Sequence, residues 1–558
     1  MQDPRQISLD LDAIASLLEF SGASKFRVDA FRRGAEIVNT LGDELGSLVE
    51  QGRLQDFEGI GSTLSQQIEE LWNTGASELL SRLKAEQPEG VLELMHVPGL
   101  TPRRIRALHD ALGIRSVAEL RDACAAGRVR KVAGFGLKTE ERIREAVESW
   151  LTRDERPPDP LPLADALELA ELIRSRLAGV VERVELAGAL RRREELVREL
   201  EFVVTGDAER AFDALASLRQ VLRIDRAARS AVLTDRVTLE LHFVERPNLG
   251  GALAVATGNA EHVAALRARA AEHGVELERN FAEEAELYAA VGCALVPPEL
   301  RAGRGELAEA AEHDFSDLIT EGDVLGMVHC HTTYSDGKNS VLEMAQAAHA
   351  LGMKYITITD HSPSAFYARG VTLDRLKQQW DEIDAARAAV PIRILSGTES
   401  DILADGALDY PDDVIERFDV LIASIHARHR MDRAAMTARL LRAMSFPAFK
   451  IWGHALGRVL NHRAPIDCDV PAILDALAKA GGAVEINADP HRLDLPPAWM
   501  PEVRARKLPF VISVDAHSTR GLGVLRYGVA MARRGGVRRS EVLNAASPET
   551  FAASVKPV

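Results

Sequence analysis

Two pairs of potential metal ligands, each at the end of an apolar run, constrain the fold of this chain most. His329 and His331 follow the run Leu325-Gly-Met-Val, and Asp515 and His517 follow Phe510-Val-Ile-Ser-Val. In a β-strand, residues i and i+2 point to the same face, so the members of each pair can share a metal ion. The pattern predicts strands that end at the rim of a sheet or barrel and place their ligands there.

Five further side chains of the same chemistry lie between the two pairs. They are Asp336, His361, Glu399, His426 and His454. Imidazole and carboxylate together suit zinc, manganese or iron, and nine ligands are too many for one ion. The set therefore predicts a multinuclear hydrolytic site. The alternative is that these are ordinary surface or capped histidines. We favour that interpretation for the isolated His429, His462 and His491, but it does not account for the whole ordered set.

The segments that carry these residues resemble the PHP (polymerase and histidinol phosphatase) family over residues 320–555. The matching segments are His329-Cys-His-Thr-Thr-Tyr-Ser-Asp-Gly337, Ile358-Thr-Asp-His-Ser362, Gly397-Thr-Glu399, Ala423-Ser-Ile-His426, Gly453-His454 and Ser513-Val-Asp-Ala-His517. The resemblance implies a distorted barrel that holds up to three ions, Mn²⁺ or Zn²⁺, with the nine residues as ligands. It also implies phosphoester hydrolysis, because bound ions lower the pKa of water and neutralise phosphate charge.

Residues 8 to about 150 are predicted to form amphipathic helices separated by glycine turns. Three turns share one pattern: Phe57-Glu-Gly-Ile-Gly61, Val97-Pro-Gly-Leu100 and Val132-Ala-Gly-Phe-Gly136. This is the helix-hairpin-helix pattern, in which glycines let backbone N–H groups approach a phosphate at the start of the next helix. Such contacts grip the DNA backbone without reading its sequence. We expect them at Gly59, Gly61, Gly99, Gly134, Gly136 and Lys138.

Composition sets further limits. The formal net charge of −16 over 558 residues argues against a generally basic nucleic-acid surface, but it leaves room for a local basic groove. A hydrophobic content of 46% and a charged content of 27% are typical of globular proteins. There is no apolar run of membrane-spanning length and no secretory signal, and the four cysteines are dispersed. We expect a cytoplasmic protein with no membrane partner.

The middle of the chain follows a proline-rich linker at residues 156–162. Its predicted elements are a helix at about 163–178, strands at 184–190, 200–204 and 237–244, and a helical region at about 250–312. Together with the hairpins, residues 188–201, 239–243, 257–262 and 297–305 resemble a bacterial X-family DNA polymerase.

The combined resemblance implies a multidomain α and α/β fold. The expected domains are an N-terminal helical DNA-end-binding domain (1–85), helix-hairpin-helix fingers (86–155), a nucleotidyltransferase palm of the α+β class (160–245), a thumb (246–315) and a PHP domain with a distorted (β/α) barrel (320–558).

The palm departs from the family pattern where its chemistry lies. The three metal-binding aspartates of the family correspond to Glu199, Glu201 and Glu240, each one methylene longer. Their spacing still allows the carboxylates to converge on Mg²⁺ or Mn²⁺. Magnesium, however, demands near-ideal octahedral geometry, and a displacement of about 1 Å can cost on the order of a hundredfold in rate.

Other positions of the family pattern differ as well, in the palm, the thumb and the N-terminal domain. The Gly-Ser of the family is Gly188-Ala189 here, and its aromatic pair before Thr-Gly is Val255-Ala256. Arg191 and Arg192 remain and could bind a nucleoside triphosphate or a DNA phosphate. Gln67 stands where some members carry a Schiff-base lysine, so lyase activity by that route is not expected.

We therefore expect a DNA-repair enzyme whose PHP domain hydrolyses phosphodiesters at DNA 3′ ends. It would act as a 3′–5′ exonuclease, with 3′-phosphatase or abasic-site cleavage as further activities, while polymerisation is weak or lost. The expected partners are gapped, nicked or 3′-ended DNA and, at the palm, a deoxynucleoside triphosphate. Two alternatives stay open: a working, manganese-preferring DNA polymerase with PHP end processing, and a non-catalytic DNA-end scaffold. A small-molecule phosphatase fits the hairpins poorly.

Overall fold

Helices make up the N-terminal part of the chain, and two sheets make up most of the rest. The computed structural model describes residues 4–557 except 42–43, 58, 87–92, 96, 98 and 152–158. Glu58 and Pro98 of the predicted hairpin turns, and residues 156–158 of the predicted linker, lie outside the described residues. The chain forms two units, Met1–Pro158 and Asp159–Val558. Within the described residues, no helix combines the length and the hydropathy that a membrane span requires.

The first unit is helical, as predicted, and has two apolar cores. One core includes Ile14 and Ile68, and the other includes Ile105 and Leu120. Its helices are α1 (Pro4–Phe20), α2 (Lys25–Leu41), α3 (Glu44–Glu50), α4 (Ser62–Thr74), α5 (Glu78–Ala85), α6 (Pro102–Leu112), α7 (Val117–Ala125) and α8 (Leu137–Leu151).

The second unit begins with a small antiparallel pair and a five-stranded mixed sheet. The pair is β1 (Leu161–Pro162) with β3 (Leu196–Val197), and the sheet contains β2 (Arg183–Leu186), β4 (Glu199–Thr205), β5 (Val221–Asp225), β6 (Ser230–Leu233) and β7 (Thr238–Phe243). The strand order is β2-β4-β7-β6-β5, and only β4 and β7 are parallel neighbours. Helices α9 (Leu163–Leu177), α10 (Gly188–Arg191) and α11 (Ala208–Leu215) accompany the sheet.

Two strand predictions need correction in this region. The strand predicted at 184–190 ends at Leu186, because Gly188 has a φ of +64° and begins α10. The β5–β6 hairpin was not predicted, since its exposed, charged residues give no clear alternation of apolar and polar positions. The predicted helical region consists of α12 (Leu249–Thr257), α13 (Ala260–Glu272), α14 (Glu284–Ala290) and α15 (Glu306–Glu312).

The C-terminal region is a barrel of seven parallel strands, which confirms the predicted fold class. The strands are β8 (Gly326–Cys330), β9 (Tyr355–Ile358), β10 (Arg393–Asp401), β11 (Val420–Ser424), β12 (Ile451–Trp452), β13 (Ala483–Asn487) and β14 (Phe510–Ser513). They are hydrogen-bonded in sequence order from β8 to β14. The backbone N–H of Val514 then donates to Val328 O at 3.0 Å, and that of His331 donates to Ala516 O at 2.9 Å. These bonds join the last strand to the first.

Helices surround the barrel and close one of its ends. They are α16 (Val341–Ala350), α17 (Leu373–Ala389), α18 (Asp412–Ile415), α19 (Arg433–Met444), α20 (Val470–Ala480), α21 (Met500–Ala505), α22 (Leu525–Arg534) and α23 (Pro548–Val555). All seven strands contribute to one apolar cluster that also contains Phe551 of α23. The Phe551 ring stacks on that of Tyr355, the first residue of β9, at 4.9 Å. Helix α23 thus covers the amino-terminal end of the barrel and leaves the carboxyl-terminal rim for other side chains.

Candidate metal centre and nucleic-acid interface

All nine predicted metal ligands lie at the carboxyl-terminal rim of the barrel. His329 and His331 are at the end of β8, Asp336 in the loop after it, His361 after β9, Glu399 in β10, His426 after β11, His454 after β12, and Asp515 and His517 after β14. Parallel strands place their carboxyl ends on one side, and this is why residues nearly 190 positions apart in sequence meet.

Three groups of these side chains overlap in one centre. The groups are His331, Asp336, His361 and His517; His329, His331 and Asp515; and His361, Glu399 and His426, each with its ligand atoms within 4.8 Å of one another. His331 and His361 each belong to two groups. His454 joins the third group, because its Nε2 lies 2.8 Å from Glu399 Oε1. The centre therefore offers ligands for up to three ions.

Several ligand atoms are buried and have no hydrogen-bond partner among the described residues. They are His329 Nε2, His331 Nδ1 and Nε2, His361 Nδ1, Glu399 Oε2 and His454 Nδ1. Buried polar atoms are nearly always paired, and an unpaired one costs about 1–3 kcal/mol. His331 Nε2 lies 3.3 Å from Asp515 Oδ1, and bonds of about 2.1 Å to one ion would place neighbouring ligands roughly 3–3.5 Å apart. The donor set fits divalent metal ions.

The predicted ligands shift one another's pKa values. Burial opposes ionisation of Glu399 and Asp515, but the surrounding histidines outweigh it and hold the pKa of each carboxyl well below its usual range. Burial also opposes the charged form of His426, yet Glu399 and Asp401 raise its pKa to about 10. Burial and two neighbouring histidines lower the pKa of His331 to about 4, which leaves this imidazole neutral and able to act as a ligand.

Two buried carboxylates that were not predicted orient the ligand rings. Glu485 in β13 accepts a hydrogen bond from His329 Nδ1 at 2.6 Å and another from the backbone N–H of His454. Asp401 accepts one from His426 Nδ1 at 2.7 Å. A carboxylate on the second ring nitrogen fixes the tautomer and the orientation of a ligating imidazole. The available signal was a glutamate inside β13, a strand that is buried along its whole length.

Asp360, next to the ligand His361, organises the loop that carries Asp336. Its carboxylate accepts hydrogen bonds from the backbone N–H of Thr332 at 2.7 Å and of Ser335 at 3.2 Å. It also accepts from both hydroxyls, at 2.6 and 2.5 Å, and from Gln379 Nε2 at 2.7 Å. Five donors on one buried carboxylate fix the first turn of this loop.

The ligand pairs are positioned differently from the strand alternation that we predicted. His329 and Asp515 have left-handed φ values of +67° and +48°, and the β8–β9 register shifts between Met327 and Cys330. His329 and His331 still belong to one group, but Asp515 and His517 fall in neighbouring groups. Backbone strain of this kind often accompanies functional sites, and a sequence pattern does not reveal it.

Two arginines near the ligands have different surroundings. Arg458 donates to Glu195 at 3.2 Å and to the carbonyl of Arg492 at 2.9 Å, so its guanidinium is engaged within the protein. Arg492 lies 3.7 Å from Asp515 Oδ2 and 3.6 Å from Asp489 Oδ2. Its Nη1 is buried and has no hydrogen-bond partner among the described residues. Arg492 thus places a partly unsatisfied guanidinium beside the metal centre.

Two of the three palm glutamates lie side by side on neighbouring strands. Glu201 and Glu240 are register partners on β4 and β7, and Glu199 precedes Glu201 by two residues. Burial and the charges of Glu240 and Glu201 raise the pKa of Glu199. Glu201, Glu240 and His242 form a fourth group with ligand atoms within 4.8 Å. We did not predict His242, although its i+2 spacing from Glu240 was visible in the sequence.

The other predicted palm residues are engaged within the protein. Arg191 forms hydrogen bonds of 2.9 and 2.6 Å with the carboxylate of Glu284, and Arg192 Nε lies 3.0 Å from Glu194 Oε1. At Gly188 an added Cβ would collide with the carboxylate of Glu201. The long Glu201 side chain therefore occupies the space beside Gly188, and both predicted phosphate-binding arginines already have carboxylate partners.

The three hairpin turns share one backbone hydrogen bond. The N–H of Ile60 donates to Phe57 O, that of Leu100 to Val97 O, and that of Phe135 to Val132 O, at 3.1, 3.1 and 3.0 Å. Each turn contains a glycine with positive φ, namely Gly59 (+103°), Gly99 (+80°) and Gly134 (+87°). The turns lead into α4, α6 and α8, and Gly61, Gly99, Gly134, Gly136 and Lys138 are exposed. The exposed backbone at these glycines leaves room for a phosphate group.

Comparison with known proteins agrees with this architecture. Family models match the PHP domain at residues 328–489, a SAM-like helix-hairpin-helix tandem at 91–149 and a helix-hairpin-helix domain at 5–77. A Bacillus subtilis (strain 168) protein named DNA polymerase/3'-5' exonuclease PolX is 33% identical over 567 aligned residues, which cover 98% of each chain. A probable phosphatase of Caldanaerobacter subterraneus is 29% identical over 28% of this chain and 60% of its own length. One of Thermoanaerobacter sp. (strain X514) is 25% identical over 39% of this chain and 88% of its own length. The chain belongs to the PolX family, the bacterial X-family DNA polymerases with a C-terminal PHP domain.

Proposed function

We propose that this protein is a DNA-repair enzyme whose PHP domain hydrolyses phosphodiesters at DNA 3′ ends, acting as a 3′–5′ exonuclease. The observation that carries the proposal is the overlap of three ligand groups with buried, unpaired donor atoms at one rim. The nine predicted residues would hold Mn²⁺ or Zn²⁺. The name of the Bacillus subtilis relative, which includes a 3'-5' exonuclease, supports the same reaction.

Each part of the centre has a distinct task in this proposal. Bound divalent ions would supply an activated water molecule and neutralise charge on the phosphate. Glu485 and Asp401 hold the rings of His329 and His426 in their ligating orientation. The unpaired Nη1 of Arg492 is available to a phosphate oxygen of the substrate.

The helix-hairpin-helix turns would hold the DNA backbone. Three turns with the same hydrogen bond and exposed glycines support binding to gapped, nicked or 3′-ended DNA. Contacts of this kind use backbone N–H groups and the following helix N-terminus, so they do not depend on base sequence.

We propose further that polymerisation by the palm is weak or lost. The carboxylates are longer than in the family pattern, and the residues expected to hold the triphosphate, Arg191 and Arg192, are paired with Glu284 and Glu194. A second candidate function is a working, manganese-preferring polymerase. It is favoured by the convergence of Glu201 and Glu240 with His242, because a nitrogen ligand suits manganese better than magnesium.

One experiment separates these functions. A 5′-labelled primer on gapped DNA is incubated with Mn²⁺, with and without deoxynucleoside triphosphates, using the wild type, Asp515→Asn and Glu201→Gln. Asparagine tolerates the left-handed backbone of Asp515, and glutamine keeps the size of Glu201. We expect shortening that Asp515→Asn abolishes and no extension. Extension lost in Glu201→Gln would instead establish a polymerase.

The binding-only alternative makes a different prediction. A DNA-end scaffold would bind gapped DNA with an affinity that a chelator does not change, and it would neither shorten nor extend the primer. Wild-type shortening that a chelator stops would exclude this alternative.

A further inference from the structure

Two aromatic side chains project into solvent from the loop that follows His361. Phe366 is 84% exposed and Tyr367 is 60% exposed. Most large apolar side chains in a folded protein are buried, and neighbouring exposed aromatics are typical of binding surfaces. The rings lie 6.2 Å apart, centroid to centroid, and form one surface, which we call the aromatic pair.

The aromatic pair lies beside the metal centre. The Tyr367 ring is 6.2 Å from the ring of His361 and 6.3 Å from that of His426, both predicted ligands. Phe366 is the more exposed of the two side chains. If the reacting phosphate of a substrate lies at the metal centre, the substrate group bonded to that phosphate could therefore lie on the aromatic pair.

The loop beneath the aromatic pair is fixed. The backbone N–H of Ala368 and of Gly370 both donate to Ala365 O, at 2.9 and 3.0 Å, and that of Val371 donates to His361 O at 2.8 Å. The N–H of Ser364 donates to Asp409 at 2.6 Å. Ala365, Ala368 and Val371 are buried. The exposure of the two rings is thus a feature of an anchored loop, and a prearranged surface needs little ordering on binding.

Three arginines lie close in sequence to the aromatic pair or to His426 beside it. Arg369 follows Tyr367 by two residues, and Arg428 and Arg430 follow His426 by two and four residues; all three are exposed. Exposed aromatic rings with arginines along a backbone path are the usual features of single-stranded nucleic-acid sites, because every base has a face that can stack.

We propose that the aromatic pair stacks the unpaired terminal base of a single-stranded nucleic-acid end and so presents the adjoining phosphodiester to the metal centre. The proposal rests on the proposed exonuclease function and assigns Phe366 and Tyr367 as the residues that hold the terminal base. A base that remains paired in a duplex cannot offer its face to Phe366 and Tyr367 unless the end frays. Loss of one such stacking contact typically lowers affinity roughly five- to hundredfold.

The test uses the full-length protein and a single-stranded oligonucleotide with 2-aminopurine at its 3′ terminus. Stacking quenches 2-aminopurine fluorescence, and EDTA prevents hydrolysis during the titration. We expect strong quenching with the wild type and little with the double variant Phe366→Ala/Tyr367→Ala. The conservative double variant Phe366→Tyr/Tyr367→Phe should quench normally. Leu351→Ala, which truncates a 51% exposed side chain elsewhere on the same domain, is the matched control.

Hydrolysis then gives a second, independent readout. Hydrolysis with Mn²⁺ is measured on two single-stranded substrates, one with a normal terminal residue and one with an abasic terminal residue. The wild type should cleave the normal end faster. In the alanine double variant, the ratio of the two rates should be about tenfold lower. Equal quenching and an equal ratio in wild type and double variant would overturn the proposal and leave the aromatic pair as a contact for another protein. If the wild type quenches but hydrolyses neither substrate, the proposed function fails while the stacking surface stands.

Discussion

At the residue scale, the candidate metal centre depends on buried carboxylates that hold its histidines in place. Glu485 uses each of its two oxygens for a different hydrogen bond, one from His329 Nδ1 and one from the backbone of His454. Both donors belong to predicted ligands on different strands. One fully buried side chain therefore aligns two sides of the centre.

Replacing Glu485 by glutamine should weaken metal binding without unfolding the barrel. Glutamine has one carbonyl oxygen, so either His329 or His454 would face an amide N–H₂ group. Loss of such an orienting carboxylate typically costs 10- to 100-fold in metal affinity. Titration of Mn²⁺ by calorimetry measures the change, with Glu416→Gln, an exposed position on the same domain, as the control. Unchanged affinity would mean that packing alone orients the rings.

Arg492 should contribute to the binding and hydrolysis of the substrate rather than to metal binding. Its guanidinium has a buried nitrogen without a hydrogen-bond partner, while its nearest carboxylates are 3.6 and 3.7 Å away. A lysine would keep the charge but lose the planar set of donors that matches a phosphate. We expect Arg492→Lys to lower kcat/KM on a single-stranded oligonucleotide about tenfold. The exposed Arg393→Lys should leave it unchanged. Equal kinetics of the two variants would assign Arg492 a structural role.

At the element scale, loops do as much as strands to build the centre. Asp336 lies in a loop whose first turn is held by the carboxylate of Asp360 through Thr332 and Ser335. The next strand thus supplies both a ligand, His361, and the anchor for a loop that carries another ligand. The two elements are coupled by hydrogen bonds rather than by apolar packing.

Asp360→Asn should destabilise this loop. Five donors now share the Asp360 carboxylate, and asparagine would turn an N–H₂ group toward some of them. Those donors would lose their acceptor, and a buried donor left unpaired costs about 1–3 kcal/mol. We expect the free energy of unfolding to fall by about 2 kcal/mol in urea titrations. The affinity for one ion should fall with it, because His517 Nε2 lies 3.4 Å from Asp336 and shares its group. The exposed Asp384→Asn on α17 is the control, and equal stability of both variants would contradict this account of the loop.

The ends of the elements were predictable where an apolar run stops at a polar ligand, as at the end of β14 before Asp515. The β5–β6 hairpin was not predictable, because its strands are partly exposed and carry Arg223 and Asp225. The long strand predicted to 190 failed for a local reason, the left-handed Gly188. Glu485 was not predicted, because its role depends on His329 and His454, which only the fold brings next to it.

At the scale of the whole molecule, the order of the helix-hairpin-helix and PHP regions could be predicted from motifs, but the contacts between the five-stranded sheet and the barrel could not. One apolar core runs through the five-stranded sheet and the outer side of the barrel, from Leu200 to Met531. A polar contact lies at the same junction. Glu195, just before β3, binds Arg458 at 3.2 Å and also pairs with Arg534, and both arginines belong to the barrel region. No sequence pattern links residues separated by more than 260 positions.

This contact leads to a prediction about cooperativity. Glu195→Gln leaves Arg458 and Arg534 without their carboxylate in a largely buried position, and breaking a buried ion pair of this kind costs about 2–4 kcal/mol. We expect calorimetry to show a lower melting temperature for the second unit, with the five-stranded sheet melting before the barrel. Glu182→Gln, at an exposed position on the same sheet region, is the matched control. A single, unshifted transition would show that the apolar core alone joins the two regions.

The pH dependence of the same variant tests its electrostatic cause. Burial alone would raise the pKa of Glu195, but Arg534 and Arg458 outweigh it and hold the pKa below its usual range. A carboxyl with a depressed folded-state pKa contributes its full stabilisation above the unfolded pKa of about 4.3 and loses it as the pH falls through the folded value. The stability difference between wild type and Glu195→Gln should therefore stay constant from about pH 8 to pH 5 and shrink in more acidic solution. A difference that persists unchanged at low pH would assign the effect to altered packing, because a protonated Glu195 resembles the glutamine in charge.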